Sequence, residues 1–320
     1  MFHPTLHKST RILFAPLITF CEWLGNHYPA LLLRIRYYVT FHKRLDLNNP
    51  QDLNQKILWA KLYSDTSLWV TLADKYAVRR HIEVLGLQDI LVKLYAVWYN
   101  VSEVDLDTLP DSFILKANNG DGKGTNKIIH KKDLTPQKRQ EVLAMIDTWL
   151  KRKNIGSLHA EPHYNAMKPC VIAEEVLPLA KGQNSLTDYK FWCFGGKVQY
   201  IWVCNDRNAN GNSAHVLTYD KHWNPHPEYS VFTSDYLQGE PEPKPANFDR
   251  MIQIAETLSA GFPQVRIDLY NIDGKIYFGE YTFTSQGGFM TFYTDDFLRR
   301  LGSFVDICDF KLRAKSLNIQ

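Results

Sequence analysis

Residues 266–283, RIDLYNIDGKIYFGEYTF, form two strand-like runs joined by a tight turn at Asp273-Gly274. A hairpin closed by its own turn forces antiparallel pairing, and side-chain alternation then decides which residues share a face. Each run carries one carboxylate among aromatic and β-branched neighbours, Asp268 before the turn and Glu280 after it. An unpaired charge there would be costly to bury. A two-residue loop would send the two carboxylates to opposite faces. A three-residue loop, Ile272-Asp273-Gly274 with Gly274 left-handed, closes on Asn271 and Lys275 and sets them diagonally across one face. Arg266 and Thr282 fall on that face too. Two carboxylates with an arginine alongside suit a shared hard cation such as Mg²⁺. An exposed polar face on an edge hairpin is the other reading of this stretch.

Other segments repeat the antiparallel theme. FILKANNGDGKGTNKIIH reads as strand, glycine-rich loop and strand, and DYKFWCFGGKVQYIWVCND as a hairpin turning at Gly195-Gly196. CVIAEEVL reads as a strand and ILVKLYAVW as a short strand or extended run. Between them lie helical patterns in LNQKILWAKLY, in VTLADKYAVRRHIEVLG with Gly86 as a C-cap, in PQKRQEVLAMIDTWLKRK and in NFDRMIQIAETLSAGF. Residues 205–247 are polar, aromatic and proline-rich, and are expected to be surface loops with short strands. Strands in antiparallel pairs around isolated helices indicate an α+β fold rather than a doubly wound sheet.

The 320 residues are enough for two or three structural units. A net charge of +3, from 37 basic against 34 acidic residues, gives no argument for nucleic acid as a partner. Cys21, Cys170, Cys193, Cys204 and Cys308 are odd in number, widely spaced and form no CxxC pair. Buried free thiols in a reducing compartment are expected. Within residues 1–41 no apolar run is long enough to span a membrane, and no convincing signal-peptide cleavage site follows Lys8 and Arg11. Two readings stand for this region: helices packed on the body, or a basic amphipathic segment resting on a membrane surface.

In LKANNGDGKGTNKII, Lys116 stands at the end of a strand before Gly120, Gly122 and Gly124. Such loops let backbone N–H groups approach phosphate closely. The spacing is neither GxxxxGK[ST] nor GxGxxG, and a strand follows where a helix would be needed. The stretch is either a flap over nucleotide phosphates or a plain glycine-rich hairpin. His159/His163 and His222/His226 have i, i+4 spacing, but each pair sits in a proline-containing stretch without a cysteine partner. Asp105-Leu106-Asp107 reads as a solvated turn.

Taken in order, NNPQDLNQKILWAKLY, LADKYAVRRHI, LPDSFILKANNGDGKGTNKII, CVIAEEVL, DYKFWCFGGKVQYI and VRIDLYNIDGKIYFGEYTFTSQGG resemble the TupA-like ATP-grasp group, associated with bacterial capsule, polysaccharide and teichuronopeptide synthesis. The resemblance implies two α+β subdomains clamping ATP: residues 74–175 with the flap and 176–320 with the metal site, preceded by a mainly helical region over 1–73. It implies that Lys75 and Lys116 contact the ATP phosphates under a flap holding Gly120, Gly122 and Gly124. Glu174, Glu175, Val176 and Leu177 would form the hinge beside adenine, and Asp188 would hold the ribose. Asp268 and Glu280 would bind Mg²⁺, with Thr282 standing where many ATP-grasp enzymes place an asparagine ligand. Arg266 would stabilise charge on the transferring phosphoryl group, and Lys190 would contact a phosphate or the substrate.

The implied reaction is a cytoplasmic, ATP- and Mg²⁺-dependent ligation. A carboxylate, such as a uronic acid of a surface glycan, would be activated as an acyl phosphate for attack by an amine such as an amino acid. A sugar kinase and a glycosyltransferase of polysaccharide synthesis are alternatives, the latter relying on Asp105 and Asp107; a non-catalytic binding protein is another, favoured by Thr282 in place of the asparagine.

Overall fold

The computed structural model describes residues 15–120, 124–180, 182–207 and 213–312. Two helices joined through Tyr28 come first, α1 (Ala15–His27) and α2 (Pro29–Phe41), followed by α3 (Leu53–Tyr63), α4 (Ser67–Leu72) and α5 (Val78–Val84). A four-stranded sheet follows, built from β1 (Leu94–Trp98), β2 (Ser112–Ala117), β3 (Asn126–His130) and β4 (Val171–Glu174), in the order β1-β4-β2-β3. Helices α6 (Pro136–Leu150) and α7 (Pro162–Ala166) lie between β3 and β4.

A six-stranded sheet carries the rest. It comprises β5 (Asp188–Phe194), β6 (Lys197–Asn205), β7 (Ala214–Asp220), β8 (Tyr236–Gln238), β9 (Gln264–Ile272) and β10 (Lys275–Thr282), in the order β10-β9-β5-β6-β7-β8. Helix α8 (Phe248–Ser259) precedes β9, and α9 (Asp295–Ser303) follows β10.

The two sheets own separate cores. Phe113, Leu115 and Ala117 of β2 and Val171 and Ala173 of β4 pack against Val142, Ile146 and Trp149 of α6. Alternation therefore turns Lys116 and Glu174 to the other face of that sheet. The larger core joins the six-stranded sheet to α8, whose Phe248, Met251, Ile254, Ala255 and Leu258 make one helical stripe. Leu53, Ile57, Trp69, Leu72, Val78 and Ile82 of α3–α5 belong to the same core. A smaller cluster, Val92 with Ile272 and Tyr277, receives Leu177 and Leu186 and lies where the chain passes from one sheet to the other.

Three departures from the sequence reading matter. The predicted helix over residues 70–86 is broken: Lys75 lies in a turn between α4 and α5. The Asp74 carboxylate accepts from the N–H groups of Tyr76 and Ala77, and offering the backbone that alternative interrupts the helix. Within 205–247, β7 is a buried seven-residue strand rather than surface loop, because β6 and β8 flank it in the sheet.

The third departure is the hairpin turn. It has two residues: Ile272 faces Lys275, and Asp273 and Gly274 both have positive φ, at 49° and 88°. A β-bulge at Gly279 then restores the parity that the shorter loop loses, and Glu280 pairs directly opposite Asp268. The bulge requires glycine, since a Cβ there would stand 2.9 Å from the Asp268 carbonyl oxygen. All five cysteines are free, and burial pushes the thiols of Cys170, Cys193 and Cys204 each up to about 12.

Gly279→Val is expected to destabilise the fold by about 1–3 kcal/mol through overpacking. Urea unfolding checks this; stability equal to wild type would mean the hairpin tolerates another register.

Candidate active site

Two ionic clusters stand beside the cores, one on the face of the four-stranded sheet turned away from α6 and one at the edge of the larger core. The first surrounds Glu174. Lys116 Nζ donates to its Oε2 at 2.8 Å and Arg79 Nη1 to its Oε1 at 3.0 Å, so two cations share one buried carboxylate. Arg79 is braced by a second bond, from Nη2 to the Val92 carbonyl at 2.8 Å.

Lys75 is held beside this cluster by a polar knot. Asn118, buried at the end of β2, donates to Asp74 Oδ2 at 2.6 Å and to the Lys168 carbonyl, and accepts from the Cys170 N–H. Its carbonyl accepts from the Lys75 N–H, and Lys75 Nζ donates to the Gly120 carbonyl at 2.6 Å. Thr125 closes on Gly120 so tightly that a Cβ there would lie 2.3 Å from its hydroxyl oxygen. Gly124 has a φ of +76°, and its carbonyl accepts from Trp149 Nε1. Gly122 lies outside the described residues.

The second cluster occupies adjacent rows across β5, β9 and β10. Lys190, Asp268 and Glu280 face one another in the first row, and Trp192, Arg266 and Thr282 in the next. Arg266 grips Asp268 bidentately, Nε to Oδ1 at 2.7 Å and Nη2 to Oδ2 at 2.8 Å. Lys190 Nζ adds a 2.6 Å bond to Oδ2. Arg266 also donates to Ser285 Oγ at 2.7 Å and Thr282 Oγ1 at 3.1 Å, and Thr282 donates on to Glu280 Oε1. Asp188 accepts from Arg207 at 2.6 Å and lies 3.7 Å from Lys190.

The electrostatics follow. Burial pushes the Asp268 carboxyl up, but the charges and hydrogen bonds of Arg266 and Lys190 outweigh it and hold it below the usual range. Burial pushes Lys190 down, and the Asp188 and Asp268 carboxylates more than reverse that, leaving it raised. The charge of Asp188, and then burial, push the Tyr270 phenol up. Three carboxylates (Asp188, Asp268, Glu280) thus stand among three cations (Lys190, Arg207, Arg266).

Among the described residues no three His, Cys, Asp or Glu side chains gather closely enough to form a protein-only metal cage. A Mg²⁺ ion carried by a nucleotide needs only one or two carboxylates, the phosphates and water supplying the rest. The opposed pair Asp268 and Glu280 fits that smaller demand. Glu280 has a side chain 43% exposed, whereas Asp268 is 3% exposed and has both oxygens engaged. Ligation by Asp268 would therefore mean exchanging one of its cations.

The residues singled out in sequence fall into these two groups. Lys75, Lys116, Gly120, Gly124 and Glu174 gather at the four-stranded sheet, and Asp188, Lys190, Arg266, Asp268, Glu280 and Thr282 at the six-stranded one. Of the hinge residues, Glu175 donates its N–H to the Lys93 carbonyl, Leu177 joins the apolar cluster of Val92, Ile272 and Tyr277, and Val176 lies between them. Arg79, Arg207, Ser285 and the Asp74–Asn118 pair escape sequence reading. The one available signal was that a carboxylate buried in a strand must find a cation somewhere. His163 is buried and His159 half-buried, and desolvation pushes each imidazole down to about 3. Asp107 is paired with Arg139 on the surface.

A family model described as TupA-like ATPgrasp matches residues 55–306. No curated protein matches the chain. Among solved structures, D-alanine–D-alanine ligase from Helicobacter pylori is similar at 15% identity and TM-score 0.44, over 80% of this chain and 70% of that one. D-alanine–D-alanine ligase from Bacillus anthracis is similar at 13% identity and TM-score 0.41, over 69% of this chain. This chain spans 59% of that enzyme's length. The ATP-grasp ligase PsnB, complexed with precursor peptide PsnA2 and AMPPNP, is similar at 11% identity and TM-score 0.35, over 88% and 72% of the two chains.

Asp268→Asn is expected to cost about 3–5 kcal/mol at neutral pH, because it strips two buried cations of their shared partner. The folded carboxyl lies below its unfolded value, so its contribution is complete above about pH 4 and is lost as pH falls through the folded value. Wild type and variant should therefore differ most in urea unfolding at neutral pH and converge in acid. A constant difference at every pH would contradict the assignment.

Proposed function

The chain belongs to the TupA-like ATP-grasp family, and from that premise we propose an ATP- and Mg²⁺-dependent carboxylate–amine ligase. The observation that carries the reading is the row Lys190–Asp268–Glu280 with Arg266 clamped beside it. Carboxylates for a nucleotide-borne cation and cations for phosphoryl oxygens share one face there.

In this reading the clamp is formed by residues 74–175 and 176–320, with residues 1–73 as the helical region before it. Lys75 and Lys116 take the ATP phosphates, and the loop with Gly120, Gly122 and Gly124 covers them. Lys116 leaves Glu174 in doing so, and Arg79 keeps that carboxylate paired. The segment Glu174–Leu177 borders adenine, whose flat apolar faces suit the cluster of Leu177, Val92 and Ile272. Asp188 accepts the ribose hydroxyls. Mg²⁺ would be held by Asp268 and Glu280, with Thr282 near it, and when bound would neutralise charge on the phosphates.

The reaction balances as follows. A carboxylate oxygen attacks the γ-phosphorus and ADP leaves; the amine nitrogen then attacks the acyl carbon, phosphate leaves, and the nitrogen loses a proton. Arg266 and Lys190 offset the negative charge that gathers when carboxylate and triphosphate meet. That the carboxylate is a uronic acid of a surface polysaccharide and the amine an amino acid rests on family analogy. ATP supply places the enzyme in the cytoplasm, with its amino-terminal helices able to meet the inner face of the membrane. A sugar kinase would use the same site with a hydroxyl as acceptor. A glycosyltransferase would need Asp105 and Asp107, and the pairing of Asp107 with Arg139 gives that reading no support.

Mg²⁺-ATP at about 100 times its dissociation constant should stabilise the protein by roughly 2.7 kcal/mol. Lys116→Ala should lose that stabilisation while keeping the unliganded unfolding temperature. Hydroxylamine added during turnover should yield a hydroxamate from the acyl phosphate. A thermal shift with UDP-sugar and none with ATP would overturn the reading, and ATP consumption that yields a phosphorylated sugar without hydroxamate would replace it with the kinase.

A further inference from the structure

Helix α2 is apolar on two opposite sides. One side buries Leu32, Leu33 and Tyr37, the last two in a core with Leu58, Ala160 and Phe289. The other presents Leu31, Ile35, Tyr38 and Val39, between 47% and 59% exposed. Helix α1 adds Leu17, Phe20 and Trp23 at i, i+3 and i+6, again exposed. Trp23 extends the exposed strip of α1 to the residue that connects the two helices, its ring lying 6.1 Å from Phe20, 5.0 Å from His27 and 5.5 Å from Tyr28. A shallow groove of about 460 Å³ continues along α2 between Arg34, Ile35, Tyr38, Val39, Arg44 and Leu45. So many large apolar side chains turned outward on two consecutive helices call for something to cover them.

Charge decides what. From Trp23 to Leu45 the chain has no Asp or Glu, but it has Arg34, Arg36, Lys43 and Arg44. Arg36 is half-buried and donates to the Leu158 carbonyl at 2.5 Å, and Lys43 pairs with Asp295. That leaves Arg34 and Arg44 on the rim of the groove. A two-fold dimer through this face would bring copies of these arginines together, the acidic residues flanking the stretch being Glu22 and Asp46. Phosphate head groups supply an anionic complement, and Trp and Tyr suit the boundary between head groups and acyl chains. Each helix has 13 residues, too few to cross the hydrocarbon layer, and no described helix is long and apolar enough to span a membrane.

We propose that the outward face of α1 and α2 rests on the surface of a bilayer containing anionic phospholipid. The apolar and aromatic side chains lie at the head-group boundary and Arg34 and Arg44 meet lipid phosphates. The inference is independent of the proposed reaction.

The test is sedimentation of the full chain with vesicles of phosphatidylcholine alone and of phosphatidylcholine mixed with phosphatidylglycerol. Binding is expected to the mixed vesicles and to weaken with added salt. The double variants Ile35→Asp/Tyr38→Asp and Arg34→Glu/Arg44→Glu should each weaken it by about tenfold or more. Phe20→Ser, on the other helix, should weaken it too, and unchanged unfolding temperatures would show that the variants fold. The proposal is overturned by absence of binding to mixed vesicles. It is equally overturned by binding that all three variants retain, which would place the contact in residues 1–14 or elsewhere. A dimer dispersed by Ile35→Asp/Tyr38→Asp, with no vesicle binding, would assign the face to a second copy.

Discussion

The Asp268 carboxylate, shared between Arg266 and Lys190, is the interaction on which the functional face depends. All three groups are buried, and each alone would be costly in that position. Together they satisfy one another through short hydrogen bonds, and the surplus donors of Arg266 reach Ser285 and Thr282. The cluster therefore ties together β5, β9, β10 and the turn after β10. It does so at the edge of a core whose aromatic side chains hold the same strands. Trp192, next to Lys190 in the pleat, donates to the Tyr293 hydroxyl, and Trp202 stacks on Phe292 at 4.1 Å.

The same solution recurs at the other sheet, where Glu174 is shared by Lys116 and Arg79, and at Asp188 with Arg207. In each case the cations suited to phosphate are held in place by carboxylates. A polyanionic nucleotide would bind by exchange, replacing carboxylate partners rather than filling a bare positive cavity. Exchange keeps lysine and arginine side chains positioned before the ligand arrives, which lowers the ordering cost of binding. It also gives each carboxylate a second cation, so that none is left buried and unpaired when one partner turns away.

The architecture places these clusters by subtraction. Helix α6 covers one face of the four-stranded sheet, and α8 with α3–α5 packs around the six-stranded one. At the four-stranded sheet Lys116 and Glu174 are left over because period-two alternation turned them from the core. Lys190 and Arg266 instead share their face with Trp192 and Trp202 and stand at the margin of the larger core. The segment from β4 to β5 links the two, and its Leu177 and Leu186 seat against the hairpin that carries Asp268 and Glu280. The amino-terminal helices stand apart from this logic. They bury one apolar side against the body and keep another outward, a pattern that the chemistry of the functional face does not explain.

Much of this was legible in the chain itself. The Asp-Gly turn, the alternation around Asp268, the glycines of the loop after β2 and the helix caps are local signals, and local signals survive folding because they act over a few bonds. The antiparallel pairs and the α+β class follow from them. Parity was not so secure: the shorter turn and the Gly279 bulge each shift the hairpin by one residue, and only their combination places Glu280 opposite Asp268. The break at Lys75 begins with the local Asp74 carboxylate, but the asparagine that holds its other oxygen lies 44 residues away. Nor could the chain announce that Arg207 would cover Asp188 from 19 residues on, or that Arg79 would reach Glu174 across 95. Sequence determined which carboxylates would need cations, because burial in a strand leaves them no alternative. Tertiary structure decided which cations answered, because that choice depends on register and packing between segments that share no local signal.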